Sequence, residues 1–440
     1  MKTQEIGQSG MIASRVALGV MRMDALDAAD AARTVAVAHD SGIDYFDTAD
    51  IYGFHDHAAH ASSKRFGQAW KDAGLDRSTI FIQTKFGIDY SFGENDGGAN
   101  GYDFSAKHLI DALDHELEAL QTDYVDAVLL HRIDTLFELN EVAEAFDALE
   151  SSGKVRHFGV SNMGPWQIEL LQSGLRQKLE INQLQFGLMH TQMLDAEIQF
   201  NMASDPAADR TGGILPYSRL KHMTIQAWCP FQSGTEYGPF VGNEHFPELN
   251  AELTRLAGKY GSTPNGIAVA WILRHPAGIQ PLLGSMTPER IRQMAAGADI
   301  ELERRDWWSL YQAAGNPLVC ARDDETTAVE ARVQRAYIST AVNAVSIHPR
   351  REQRHEHSAN HIRTTAYRAR ELNHRPYWSR SRASRHRDCG TTRQPVFHSS
   401  ASNPKHPSQH SVPPGVHHLA KADVYVHTAV CGRQTATPCR

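Results

Sequence analysis

An α/β barrel of about eight strand-then-helix units, the (β/α)8 or TIM barrel, is the fold this sequence predicts. Three observations carry the prediction. Short apolar runs alternate with helical patterns along residues 1–320. Several of these runs are largely apolar, as strands buried on both faces must be. Three in succession stop at a reactive side chain, and in such a barrel the carboxyl ends of strands face the active site.

Taken in order, residues 1–13 read as a short opening hairpin and 16–20 as the first barrel strand, with Gly19, Met21 and Arg22 at its top. A helix over 28–39 leads to a strand at 43–47, and a helix near 60–73 to a strand at 80–84. Leu109, Leu113, Leu117 and Leu120 recur at helical spacing within 105–121, ahead of a strand at 125–130. Helix 138–151, strand 155–160, helix 165–174 and strands 180–184, 223–228 and 279–283 complete the alternation. Two long connections, 86–104 and 231–246, fall on the predicted catalytic face, where loops of that length are usually functional. Phe86, Tyr90, Phe92, Tyr237 and Phe240 are candidate pocket walls there, packing of the loops on themselves being the alternative. Residues 191–222 form a third insertion whose role is not legible.

The strand at 43–47 ends in Asp47 and is followed by Tyr52, the next strand stops at Lys85, and 125–130 stops at His131. Singly, each has a plainer alternative: a turn cap for Asp47, a surface ammonium, a core histidine, a packed ring. Together, a carboxylate, a phenol, an ammonium and an imidazole suit proton transfer. No G-x-G-x-x-G follows the first strand and no G-x-x-x-x-G-K-[ST] occurs, which counts against Rossmann and P-loop folds.

Composition divides the 440 residues unevenly. Residues 321–440 hold 12 of the 24 histidines and 19 basic against 9 acidic groups, so they carry +10 and residues 1–320 carry −17 of the total −7. That second part has almost no apolar periodicity and is expected to be disordered. A basic arm for nucleic acid and a His-rich metal tract are open readings of it. Scattered histidines without zinc-ligand spacing, and arginine almost without lysine, favour a non-homologous extension or a segment read out of frame. Two domains are therefore expected, a barrel over 1–320 and a tail over 321–440. Of five cysteines only Cys229 lies well inside the first, so no disulfide framework is expected. The polar N-terminus and short apolar runs predict a soluble cytoplasmic chain with no membrane partner.

Six motifs, GIDYFDTADIYG (42–53), QTKFG (83–87), LLHRID (129–134), GVSNM (159–163), INQLQ (181–185) and PLLGSMTPERI (281–291), resemble the aldo-keto reductase superfamily, and within it the bacterial YdhF-type oxidoreductases. The resemblance spans nearly all of 1–320 and none of the tail. It implies a nicotinamide dinucleotide held without a Rossmann domain, and a small-molecule aldehyde or ketone reduced to an alcohol. By resemblance Tyr52 is the acid, Lys85 tunes it, Asp47 anchors the lysine, and His131 orients the carbonyl. Gly19, Met21 and Arg22 border the nicotinamide, Ser161, Asn162 and Gln183 contact its carboxamide, and Trp228 either stacks on it or is a core ring. Pro230, Phe231, Gln232, Ser233 and Gly234 line the pyrophosphate, and Ser285 and Arg290 clamp the adenosine phosphate beside Gly284. NADPH is the cofactor implied. Gly284 stands where many members carry Lys or Arg, which leaves NADH open. No metal site and no nucleic-acid partner are expected. A regulatory subunit like the potassium-channel β-subunits, which share this fold and cofactor, is the competing class, and a basic-tailed nucleic-acid binder is a third. The carbonyl substrate and oligomeric state are not legible.

Overall fold

The computed structural model describes residues 1–91 and 98–319. Phe92 and the tail expected over 321–440 lie outside these. The opening hairpin pairs β1 (Thr3–Glu5) with β2 (Ile12–Ser14), Gln4 opposite Ala13. It closes the barrel floor, for Ile6, Met11 and Ala13 pack into one buried cluster with Ala17, Tyr45, Ala127, Leu129 and Ile181.

The barrel strands then follow in chain order: β3 (Ala17–Gly19), β4 (Tyr45–Asp47) and β5 (Phe81–Phe86). A second hairpin, β6 (Ile88–Ser91) with β7 (Gly98–Tyr102), interrupts them. The barrel resumes with β8 (Val125–Leu130), β9 (Val155–Ser161), β10 (Leu179–Gln185), β11 (Thr224–Trp228) and β12 (Gln280–Leu283), and β12 pairs back to β3. All eight barrel strands are parallel, so their carboxyl ends share one rim.

Helices cover the outside. α1 (Ala28–Asp40) starts where the Asp27 side chain accepts from the Asp30 amide, and α2 (Ala61–Asp72) packs against it. α3 (Ala106–Leu120) buries Leu109, Leu113, Leu117 and Leu120, as their spacing predicts, and is capped by Ser105. α4 (Leu139–Ser151) and α5 (Pro165–Gly174) follow the prediction closely. The insertion at 191–222 holds α6 (Gln192–Ile198) and α7 (Ile214–Lys221).

Between β11 and β12 lie α8 (Pro247–Tyr260) and α9 (Pro264–Leu273), and every residue of α9 from Gly266 to Leu273 is buried. An all-apolar helix needs cover on every side. α8, α10 (Pro288–Ala296) and α11 (Arg304–Ala313) contribute to it. Trp271 of α9 and Trp307 of α11 stack at 5.0 Å, and each indole N–H donates to the other's carbonyl, at 3.1 and 2.9 Å.

Three expectations change. The second strand is shorter than 43–47, spanning Tyr45–Asp47. The connection at 86–104 is partly a hairpin rather than irregular loop. Phe86 and Phe240 are fully buried, Phe240 stacking on Phe231, so both rings serve the core rather than an open pocket. Tyr90 meets Phe54 edge-on, and the exposed Tyr237 packs on His245.

Candidate active site

Period-two alternation along β5 turns Gln83 and Lys85 into the barrel and Thr84 outward. β4 pairs beside it with Asp47 opposite Gln83, so the Lys85 side chain reaches the end of its neighbour strand. Lys85 is fully buried, and its Nζ donates to Asp47 Oδ2 at 2.7 Å and to the Thr48 carbonyl at 2.6 Å. Burial pushes its pKa down, while the charge and hydrogen bond of Asp47 oppose that.

Tyr52 stands in the turn after β4, where its N–H donates to the Ala49 carbonyl and its carbonyl accepts from Ser62 N, both at 3.0 Å. Lys85 Nζ lies over the Tyr52 ring, 5.0 Å from its centroid. Burial, then the Asp47 charge, push the Tyr52 hydroxyl well above its ordinary value, so the neutral phenol is the resting form. His131 presents its ring edge to Tyr52 at 5.9 Å. Burial, then Lys85 and Arg132, drive the imidazole well below its ordinary pKa, leaving it neutral, and its buried Nδ1 has no partner among the described residues. The four sequence-predicted residues thus meet at one rim of the barrel.

A layer of amides lies beneath them. Gln83 and Gln183 each donate from Nε2 to Asp47 Oδ1, at 2.5 and 2.9 Å, and to Gln226 Oε1, at 2.8 and 3.1 Å. Gln226 donates to Gln280 at 2.9 Å, and Gln280 to the Ser14 carbonyl at 2.8 Å on the hairpin floor. All four glutamines are buried, and each satisfies the others. Sequence reading missed three of them, yet the signal was there: Ile82-Gln83, Ile225-Gln226 and Ile279-Gln280 repeat an isoleucine followed by a glutamine in or at the start of a barrel strand.

The residues expected at a nicotinamide also converge. Trp228, half-buried at the end of β11, donates from Nε1 to Asn162 Oδ1 at 3.0 Å. Asn162, in the left-handed region at φ 57°, donates to Ser161 Oγ at 2.8 Å and weakly to the His131 carbonyl at 3.4 Å. Ser161 Oγ donates to the Gln183 carbonyl at 2.9 Å. The donor set fits a carboxamide: Gln183 Oε1 accepts nothing among the described residues, and the Asn162 amide hydrogen held only by the 3.4 Å contact to the His131 carbonyl is a ready donor.

Gly19 ends β3 opposite Asp47, and the Met21 carbonyl accepts from Ser62 Oγ. Arg22 Nη1 donates to the Gly284 carbonyl at 3.2 Å, joining the turns after β3 and β12. Ser285 Oγ accepts from Thr287 N just before α10, and Arg290, in that helix's first turn, is exposed without an ion pair among the described residues. The pyrophosphate group behaves differently. Pro230 is buried, Gln232 N donates to the Cys229 carbonyl, and Ser233 N and Oγ both donate to the Gly238 carbonyl, so these donors are spent between residues 229 and 238.

Sequence reading also missed a polar cluster outside the barrel wall. Glu116 on α3 is fully buried, accepting from Thr84 Oγ1 at 2.5 Å and Ser63 Oγ at 3.0 Å and pairing with His60 Nδ1 at 2.6 Å. A carboxylate set among the leucines of an apolar helix face was its only trace in the sequence. Among the described residues no group of three or more metal-ligating side chains forms a metal site, and no helix is long and apolar enough to cross a membrane.

Comparison with known proteins gives the family. The chain is 34% identical over 274 residues to 6-dehydroglucose reductase of Agrobacterium fabrum, covering 62% of this chain and 84% of that protein. It is 32% identical to the oxidoreductase YdhF of Escherichia coli, over the same shares of each chain. The crystal structure of the thermostable aldo-keto reductase Tm1743 with the inhibitor epalrestat shares the fold, with a TM-score of 0.56 at 21% identity, covering 71% of this chain and 100% of that one. The aldo/keto reductase family model matches residues 15–314, and the chain belongs to that family of oxidoreductases.

Proposed function

We propose that this chain reduces an aldehyde or ketone to an alcohol with NADPH, and that Tyr52 delivers the proton. The observation that carries the reading is a fully buried ammonium, Lys85, fixed by a buried carboxylate and lying over the ring of a neutral tyrosine. A reduced nicotinamide, when bound, supplies the hydride to the carbonyl carbon. Ser161, Asn162 and Gln183 would hold its carboxamide and Trp228 would cover its ring. As Tyr52 gives up its proton to the carbonyl oxygen, negative charge appears on the phenol beside Lys85. The lysine is already in place, held by Asp47 and the Thr48 carbonyl, so the charge is stabilised without rearrangement. His131, neutral and edge-on to Tyr52, would hydrogen-bond the same oxygen and orient it.

Arg290, in the first turn of α10, favours the phosphate-bearing dinucleotide, since arginine pairs well with phosphate. Two relatives carrying the name 6-dehydroglucose reductase put 6-dehydroglucose first among the carbonyl compounds to try. The test is Tyr52→Phe, assayed by NADPH consumption and by nucleotide titration. Turnover should fall by about 10²–10⁴-fold, the usual worth of a placed proton donor, with the NADPH dissociation constant nearly unchanged. Undiminished turnover would remove Tyr52 from the role.

A further inference from the structure

We propose that Asp50, His60 and Glu116 form a second set of positioning residues, back to back with Asp47 and Lys85 across the barrel wall, whose charge state tunes proton delivery by Tyr52. The geometry is continuous. Glu116 Oε2 takes the hydroxyls of Thr84, the strand neighbour of Lys85, and of Ser63. Ser63 Oγ in turn meets Thr48 Oγ1 at 2.8 Å, and the Thr48 carbonyl is the acceptor that holds Lys85 Nζ. One carboxylate therefore grips both strands that carry the inner pair.

Asp50 closes the arrangement from above. Its N–H donates to the Lys85 carbonyl at 3.0 Å, and its carbonyl accepts from His60 N at 2.8 Å. Its carboxyl is buried, with Oδ1 accepting from Ile51 N at 2.7 Å. It faces a cleft of about 380 Å³ through which solvent protons can reach it. Asp50 belongs to the stretch Ala49 to Gly53 that carries Tyr52, so its charge acts on the phenol as well as on the lysine.

Burial, then the nearby Glu116, raise Asp50 to about 8, while His60, the Ile51 amide and Lys85 oppose the rise. Burial alone would depress His60, but the hydrogen bond and charge of Glu116 outweigh it and raise its pKa. From α3 the cleft also presents Lys107, His108, Asp111 and His115, with Lys107 paired to Asp111. Asp89 of β6 and Asp103 complete the charged lining. The sign follows from charge. Below about pH 8 Asp50 is the neutral acid. Above that it is ionised, holding Lys85 charged but disfavouring the Tyr52 phenolate, so reduction slows.

The experiment is the pH profile of kcat for carbonyl reduction by the full chain, beside carbon-13 carboxyl NMR of the cofactor-free protein. In the unmodified chain both should report a titration near pH 8. Asp50→Asn should abolish it in both. Glu116→Gln removes the like charge and should move the midpoint down by about one pH unit or more. His60→Gln removes an opposing charge and should move it up. Opposite shifts from two neighbours of one carboxyl are not the signature of general destabilisation. An Asp50→Asn profile superimposed on that of the unmodified chain, or shifts of the same sign in both neighbours, would overturn the proposal. The rate readout rests on the reductase reading. A chain without turnover would fail that reading in its own assay, and the cluster would then be judged on the NMR titration alone.

Discussion

Asp47→Asn perturbs the centre of the site by one heavy atom, and the structure says what that costs. Asp47 Oδ2 faces the Lys85 ammonium, and Oδ1 faces the amide groups of Gln83 and Gln183. Every neighbour is a donor. An asparagine must turn its NH2 one way or the other, so either Lys85 or the glutamine pair is left donor against donor. In either case a buried ammonium also loses its counter-charge. Removing one partner of a buried ion pair costs roughly 3–5 kcal/mol. At roughly 2–4 °C per kcal/mol for a large domain, the melting midpoint should fall by about 10 °C.

The sign of the pH dependence is fixed too. Burial already holds Lys85 below its ordinary 10.5 in the folded chain, and losing Asp47 lowers it further. Between the folded and unfolded values the unfolded chain binds more protons, so the variant gains stability as pH rises. Its deficit should therefore shrink towards pH 10.5. Thermal and urea unfolding followed by tryptophan fluorescence, for Asp47→Asn, Lys85→Met and the double variant, measures this. A neutral-pH cost below about 1 kcal/mol, or single costs adding within about 0.5 kcal/mol, would show that the two residues are not coupled.

Arg290→Ala should weaken NADPH by about 10–100-fold, the worth of a charge-assisted hydrogen bond, and leave NADH nearly unchanged; equal loss for both nucleotides in a fluorescence titration would mean that this arginine does not read the extra phosphate. Gly67→Ala tests how closely α2 and α3 approach, since the added Cβ would lie 2.3 Å from the Ala119 carbonyl oxygen. Overpacking of that kind costs about 1–3 kcal/mol, and an unshifted melting midpoint would refute the close approach.

Much of this was legible in the sequence because it rests on local pattern. Leucines at 109, 113, 117 and 120 fix the buried face of α3 whatever packs on it. Asp47, Lys85 and His131 could be read because each lies at or next to the carboxyl end of a strand, and strand ends in a parallel barrel share one rim. What could not be read depends on distant partners. Glu116 pairs with His60, 56 positions earlier, across two helices. Phe86 and Phe240 looked like pocket walls because they flank long loops, but loop length does not say which ring turns inward. The hairpin at Ile88–Ser91 and Gly98–Tyr102 was hidden by its second strand, a Gly-Ala-Asn-Gly run with little β-propensity.

The glutamine layer has a polarity that begins far from the rim. Ser14 offers a main-chain oxygen, which can only accept, so Gln280 must turn its nitrogen downward. That leaves its oxygen for Gln226, whose oxygen is in turn left for Gln83 and Gln183. No single amide can reverse without setting like groups face to face. The orientation of the whole stack is thus inherited from one peptide unit in the opening hairpin, and its upper end can show Asp47 nothing but hydrogen. A change at the floor that turned this sequence over would be felt at the opposite end of the barrel as a change in whether Asp47 meets donors or acceptors, though no residue there had been touched.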